Sequence, residues 1–224
     1  MRWNRFLFVA PLLCLLSSVA AAGNFSFTGN FVQDDDLQVF LFTAPSASVL
    51  LRTWGYAGGT NTDGTVITRG GFDPVLTLFD ATGGLSAASP FIIDNNDGAG
   101  VAVDPVTTSA SDSLLLLTGL DPTATYALVL TQADNFSFFG STFGDGFTHS
   151  GQGNFTAGEF GCAGTAPFCD ANVAQRDGHW AVDIGGVGSA SEPGTSVTPE
   201  PASMLLLATG IAGLALLRRR GKQA

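Results

Sequence analysis

The chain of 224 residues carries nineteen carboxylates against nine lysines and arginines, and the cations crowd into its ends: Arg2 and Arg5 at the start, Arg218, Arg219, Arg220 and Lys222 at the finish. Between Gly23 and Glu200 only Arg52, Arg69 and Arg176 face all nineteen carboxylates, which excludes nucleic acid as a partner, because phosphate binding needs a basic face. A glycine-rich, lysine-free, acidic segment of this kind suits a domain that stays soluble outside the cell.

In chain order, MRWNRFLFVAPLLCLL places two arginines before an apolar stretch, and SSVAAAG follows it. That is the order of a secretory signal peptide over residues 1–22, cut by signal peptidase before Gly23. The apolar core is too short to span a bilayer comfortably. Leu13 stands where a lipoprotein signal requires a small residue, so Cys14 is not expected to be lipidated.

Six strand signals follow: LQVFLFTA (37–44), SVLLRTWGY (48–56), PVLTLFDA (74–81), SLLLLTGL (113–120), ATYALVLTQ (124–132) and HWAVDI (179–184). Each is short, rich in β-branched, leucine or aromatic residues, and bounded by Gly, Asp, Asn or Pro. In the last, Trp180, Val182 and Ile184 share one face while His179, Ala181 and Asp183 share the other, the period of a strand against a core. Double glycines and Asp-Pro steps set the turns between them. No stretch before residue 200 has a helical period. The expected fold class is all-β, a single antiparallel β-sandwich of jelly-roll-like topology over residues 23–185, with a barrel as the alternative. NFSFTGNF (24–31), NFSFFGSTF (135–143) and NFTAGEF (154–160) echo one another at unequal spacing and are expected to lay phenylalanines against the sandwich as edge strands or loops.

Oxygen-bearing side chains concentrate in turns. If calcium is bound, Asp35, Asp73, Asp94 and Asp97 are its candidate ligands, since the ion takes six to eight hard oxygens; the competing reading is plain turn chemistry, which Asp and Asn perform without an ion. Trp54 and Tyr56 flank Gly55, and an exposed pair of this kind stacks on pyranose rings; core packing of Trp54 is the alternative. Cys162 and Cys169 form an even pair in an exported chain and are expected to close a disulfide, as neither His149 nor His179 stands at zinc-ligand spacing from them. The chain has no G-x-S-x-G elbow, no H-E-x-x-H, no P-loop and no dinucleotide fingerprint. No catalytic residue and no required cofactor are expected, although paired carboxylates of a secreted hydrolase stay open as an alternative.

After Ile184 the composition turns to GGVGSASEPGTSVTPEP, read as a flexible linker over 186–198. From Ala202 to Leu217 no residue is charged; as a helix this run reaches roughly 24 Å against a bilayer core of about 30 Å. It is a short transmembrane helix closed by Arg218, Arg219 and Arg220, which favour the cytoplasmic side. Pro199-Glu200-Pro201, the apolar run and the arginine cluster together resemble the PEP-CTERM sorting signal of exopolysaccharide-producing bacteria. The resemblance implies that an exosortase-type membrane peptidase recognises the tripeptide and cuts near it, so Pro199, Glu200 and Pro201 are recognition residues of a substrate. Two prolines suit that role, because they keep the segment extended and out of the helix.

The ectodomain, through DDDLQVFLF (34–42), DPVLTLFDATG (73–83), DNNDG (94–98) and QRDGHWAVDI (175–184), is similar to bacterial pre-peptidase C-terminal domains, which are β-sandwiches and mostly accessory or binding modules. The expected function is that of a non-enzymatic exported protein, anchored transiently at the inner membrane and then delivered to the cell surface or exopolysaccharide matrix. A carbohydrate-binding module for that matrix is the alternative.

Overall fold

Alternating apolar residues bounded by turn formers give strands of five to nine residues. The computed structural model describes residues 22–44, 48–138 and 142–193. Its strands are β1 (Gly23–Asn30), β2 (Gln38–Thr43), β3 (Ser48–Thr53), the two-residue pair β4 (Gly59–Thr60) and β5 (Val66–Ile67), β6 (Pro74–Asp80), β7 (Phe91–Asn96), β8 (Leu114–Thr118), β9 (Thr125–Gln132), β10 (His179–Val187) and β11 (Ser189–Ser191). One sheet has the order β1-β10-β3-β8 and the other β11-β2-β9-β6-β7. Every pairing between these strands is antiparallel.

The connectivity is that of one long hairpin rolled up. With the β4–β5 ribbon and β11 set aside, the first strand pairs with the last (β1 with β10), the second with the next to last (β2 with β9), then β3 with β8 and β6 with β7. Nested pairs wound into two facing sheets define a jelly roll. The expected sandwich is therefore found, and the barrel alternative is not.

Between the sheets, Phe40 and Phe42 of β2, Leu76 and Leu78 of β6 and Leu128 and Leu130 of β9 meet Leu51 of β3, Leu115 and Leu117 of β8, and Trp180, Val182 and Ile184 of β10. The period of two explains the leucine run of β8: Leu115 and Leu117 enter the core, whereas Leu116 is 69% exposed. A second, smaller core lies on the far side of the five-stranded sheet. There Phe79, Ala127 and Val129 are covered by Phe143 and Phe147 from the segment after β9, which is why β6 and β9 are buried on both faces.

Several boundaries differ from expectation. NFSFTGNF, by contrast, is the edge strand expected of it, β1, whose Phe25 and Phe27 pack on the main core. FIIDNN is strand β7, although its Asp and Asn residues read as a turn. NFTAGEF contains the one α-helix of the described residues, α1 (Phe155–Phe160). The sandwich also continues past residue 185: β10 runs to Val187 and Ser189–Ser191 pairs with Thr43, Phe42 and Leu41 of β2. The mostly small residues of 185–191 carry a weak apolar signature and contribute backbone hydrogen bonds instead. Residues 1–21 and 194–224 lie outside the described residues. They include most of the expected signal peptide, Pro199, Glu200 and Pro201, the apolar run 202–217, and Arg218, Arg219 and Arg220. Among the described residues no helix is long and apolar enough to cross a membrane.

Candidate functional site

Three loops meet at one end of the sandwich around Asp104. Its carboxylate is wholly buried and accepts hydrogen bonds from Arg69 Nε (3.0 Å) and Nη2 (2.8 Å), from Arg176 Nη1 (2.8 Å) and from the Val106 amide (2.8 Å). Burial alone would raise this carboxyl; the Arg69 bonds, the Val106 amide and Arg176 outweigh it and hold the group well below the usual carboxylate range. Arg176 also donates to the Tyr56 carbonyl (3.0 Å), lies 3.5 Å from Asp170, and places its guanidinium 3.6 Å from the centre of the Tyr56 ring. The Tyr56 hydroxyl donates to Asp170 Oδ2 (2.9 Å). Asp112 completes the cluster by accepting from Thr53 Oγ1 and from the amides of Tyr56 and Ala57, and burial pushes its carboxyl up. A charge buried this way is paired because an unpaired one would cost several kcal/mol.

The Trp54–Tyr56 sugar platform is corrected by this arrangement. Tyr56 has no exposed surface, and Arg176 covers its ring. Trp54 has Arg52 stacked 3.7 Å from its ring centre, while Gly59 packs so closely that a Cβ there would be 2.6 Å from Trp54 Cε3. Its indole N–H donates to Asp183 Oδ2 at 2.7 Å. Asp183, on the outward side of β10, is nonetheless buried, because the 54–62 loop folds over it and the Thr62 amide and hydroxyl donate to it as well. The pair is structural: Trp54 roofs Asp183 and Tyr56 walls Arg176. Nothing beside Trp54 and Tyr56 in the chain signals these roles, since Asp183 and Arg176 stand more than a hundred residues away.

At the neighbouring corner, the Cys162–Cys169 disulfide is present. Next to it Asp34 is wholly buried and accepts from the Thr156 amide (2.9 Å), the Thr156 hydroxyl (2.6 Å) and the Phe168 amide. One carboxylate thus ties the loop after β1 to the first turn of α1 and to the disulfide loop. Asp36 accepts from the Val32 and Gln33 amides within its own turn. Asp35 lies between them, partly exposed, beside Gly153.

The four candidate calcium ligands do not form one site. Among the described residues no three His, Cys, Asp or Glu side chains come together around a point that could hold a metal ion. Asp94 stands within β7 opposite Thr77, and Asp35 is in the loop after β1. Asp73 and Asp97 stand at neighbouring strand ends, one just before β6 and the other just after β7. Burial, and then the Asp97 charge, push the Asp73 carboxyl well above the usual range.

Both histidines are held by ordinary contacts. His149 stacks on Phe155 with 3.9 Å between ring centres and lies 3.5 Å from Glu159. His179 is paired with Asp177 through Nδ1 and lies 2.9 Å from the Thr68 carbonyl through Nε2. Neither stands against a serine or cysteine nucleophile in these contacts.

No curated protein matches the chain. The folded body described ends at Pro193, and only Gly194-Thr195-Ser196-Val197-Thr198 intervene before Pro199-Glu200-Pro201. Residues 197–220 match the family model described as the PEP-CTERM protein-sorting motif, so the chain is an exported protein carrying the C-terminal membrane-anchoring sorting signal of an exosortase substrate.

Proposed function

We propose that this protein is a non-enzymatic jelly-roll module held briefly at the inner membrane by its 202–217 helix, cut near Pro199-Glu200-Pro201, and delivered to the cell surface or exopolysaccharide matrix. The observation that carries this reading is the sorting motif at 197–220 directly after β11. Five residues separate Pro193 from the tripeptide, a tether that can reach at most about 20 Å, so the sandwich is confined within that distance of the peptidase's cleavage site. A strongly acidic domain whose arginines are engaged by Asp104 and by Trp54 has the character of a soluble passenger that repels anionic surfaces.

The reading is tested by Glu200→Ala in cells that carry the exosortase. Full-length protein is expected to accumulate in the membrane fraction while the wild type is released or transferred. Unchanged processing of the variant would overturn the recognition role of Glu200. Retention of the processed wild type on purified exopolysaccharide separates matrix binding from simple release.

A further inference from the structure

We infer that β1 is a docking edge for a second copy of this chain, the two β1 strands pairing antiparallel about a two-fold axis so that their four-stranded sheets run on into one. β1 ends its sheet, with β10 on one side and no strand on the other among the described residues. The Phe31 amide donates to the Gly178 carbonyl in the register that joins β1 to β10. In an antiparallel ladder such directly bonded pairs recur at every second residue, so Phe25, Phe27 and Gly29 turn their backbone groups to β10. Asn24, Ser26, Thr28 and Asn30 turn theirs to the open edge. Sheet edges are ordinarily blunted by shortness, charge, proline or a bulge. β11 is three residues long; β7 carries Asp94, starts after Pro90 and shifts register at Leu78–Phe79; β8 is five residues long, with its first amide taken by Asn95 Oδ1 at 3.0 Å. β1 is eight residues long without a charge or a proline, and its one irregularity falls at its first residue.

The occupant follows from the chemistry of the strand itself. In a chain with nineteen carboxylates, a strand of Gly, Asn, Phe, Ser and Thr gives a basic partner nothing to hold. It offers backbone, amide, hydroxyl and aromatic groups, and the same strand run antiparallel meets each of them in kind. A two-fold axis through Ser26 brings only outward-turned residues into bonded positions, which forms about six backbone hydrogen bonds. That register sets Asn24 opposite Thr28 of the second copy on the outer face. On the core side it sets Phe25 opposite Phe27 of the second copy, a favoured kind of cross-strand pair. Both rings pack on the main core yet stay only partly buried, so the second strand covers apolar surface that one copy leaves open. Chains anchored in one membrane meet at a raised effective concentration. The acidic bodies repel each other, which keeps the pairing reversible and makes it depend on salt.

The test is sedimentation velocity on the purified full chain in detergent over a range of concentrations. Its variants differ only in β1, so any association through residues 202–217 is common to all of them. The wild type is expected to form a concentration-dependent dimer that tightens as salt rises from about 0.01 to 0.15 M. Thr28→Pro removes an amide that faces the open edge and leaves the ladder with β10 intact; it is expected to weaken dimerisation about tenfold or more. Asn24→Lys combined with Thr28→Lys, both at exposed positions, sets like charges opposite one another and is expected to weaken it as much. Asn24→Asp combined with Thr28→Lys sets opposite charges there instead, and is expected to dimerise at least as tightly as the wild type. A folded wild type that stays monomeric at every concentration, its edge left open or covered by the chain's own residues 194–198, would overturn the proposal. So would a dimer that the paired lysines leave unchanged, or an Asp–Lys combination that fails to restore it.

Discussion

Asp104 shows how single residues decide the stability of one end of this molecule. Two arginines converge on it, and Arg176 is 3% exposed, so removing the carboxylate leaves this buried cation with only the longer carboxylate contact, to Asp170 at 3.5 Å. Asp104→Asn is expected to destabilise the protein by about 2–3 kcal/mol, below the full cost of an uncompensated buried charge because Asp170 still faces Arg176, measurable by urea denaturation at neutral pH. The pH dependence has a definite sign. The folded-state value of Asp104 lies below its unfolded value, so its contribution is complete above about pH 4 and is lost as pH falls further. The variant should lack that portion of the acid-side loss, whereas an unchanged acid profile would show that Asp104 is not the group responsible. Little of this was legible beforehand. Asp104 reads as one more Asp-Pro turn, and nothing in its neighbourhood announces that Arg69 and Arg176 will reach it.

The elements divide by how loudly their side chains speak. β2, β3, β6, β8, β9 and β10 were legible because bulky residues alternate and bury one face. β7 was not, because Asp94-Asn95-Asn96 has turn chemistry, yet backbone pairing with β6 overrides it. β11 was hidden for the opposite reason, since Ser189–Ser191 has no apolar residue larger than alanine and is held by its ladder with β2. The short helix α1 depends on tertiary contacts: Asp34, from another loop, accepts from its first turn. The disulfide acts on the same corner. Its loop delivers Phe168 into the core against Phe72, with 5.5 Å between ring centres, at a backbone φ of 65° that a non-glycine residue adopts only when its surroundings enforce it. Cys162→Ser is expected to cost about 2–3 kcal/mol through the freed loop, seen as a lower melting temperature than the oxidised wild type. Equal melting of the two would show that Asp34 and the core hold Phe168 without help.

The whole molecule reads as a passenger with its address attached. The rolled hairpin brings the last strands, β10 and β11, beside the first two, β1 and β2, so the chain leaves a closed and already paired body just before the sorting segment. Cutting there removes none of the strands β1–β11 of the described residues, and the sandwich is expected to keep its fold after release. The sorting segment was legible from residues alone because its three parts act through order and spacing rather than tertiary contact. The Asp104 cluster was not, because its carboxylate and arginines come from loops far apart in the chain and meet only once the sheets are assembled. This export substrate is expected to be processed at both ends, and intact-mass analysis of the mature protein from its own cells decides the matter. The predicted mass is that of a chain starting near Gly23 and ending near Pro199-Glu200-Pro201, less two protons for the Cys162–Cys169 bond; a mass that still includes residues 202–224 would contradict it.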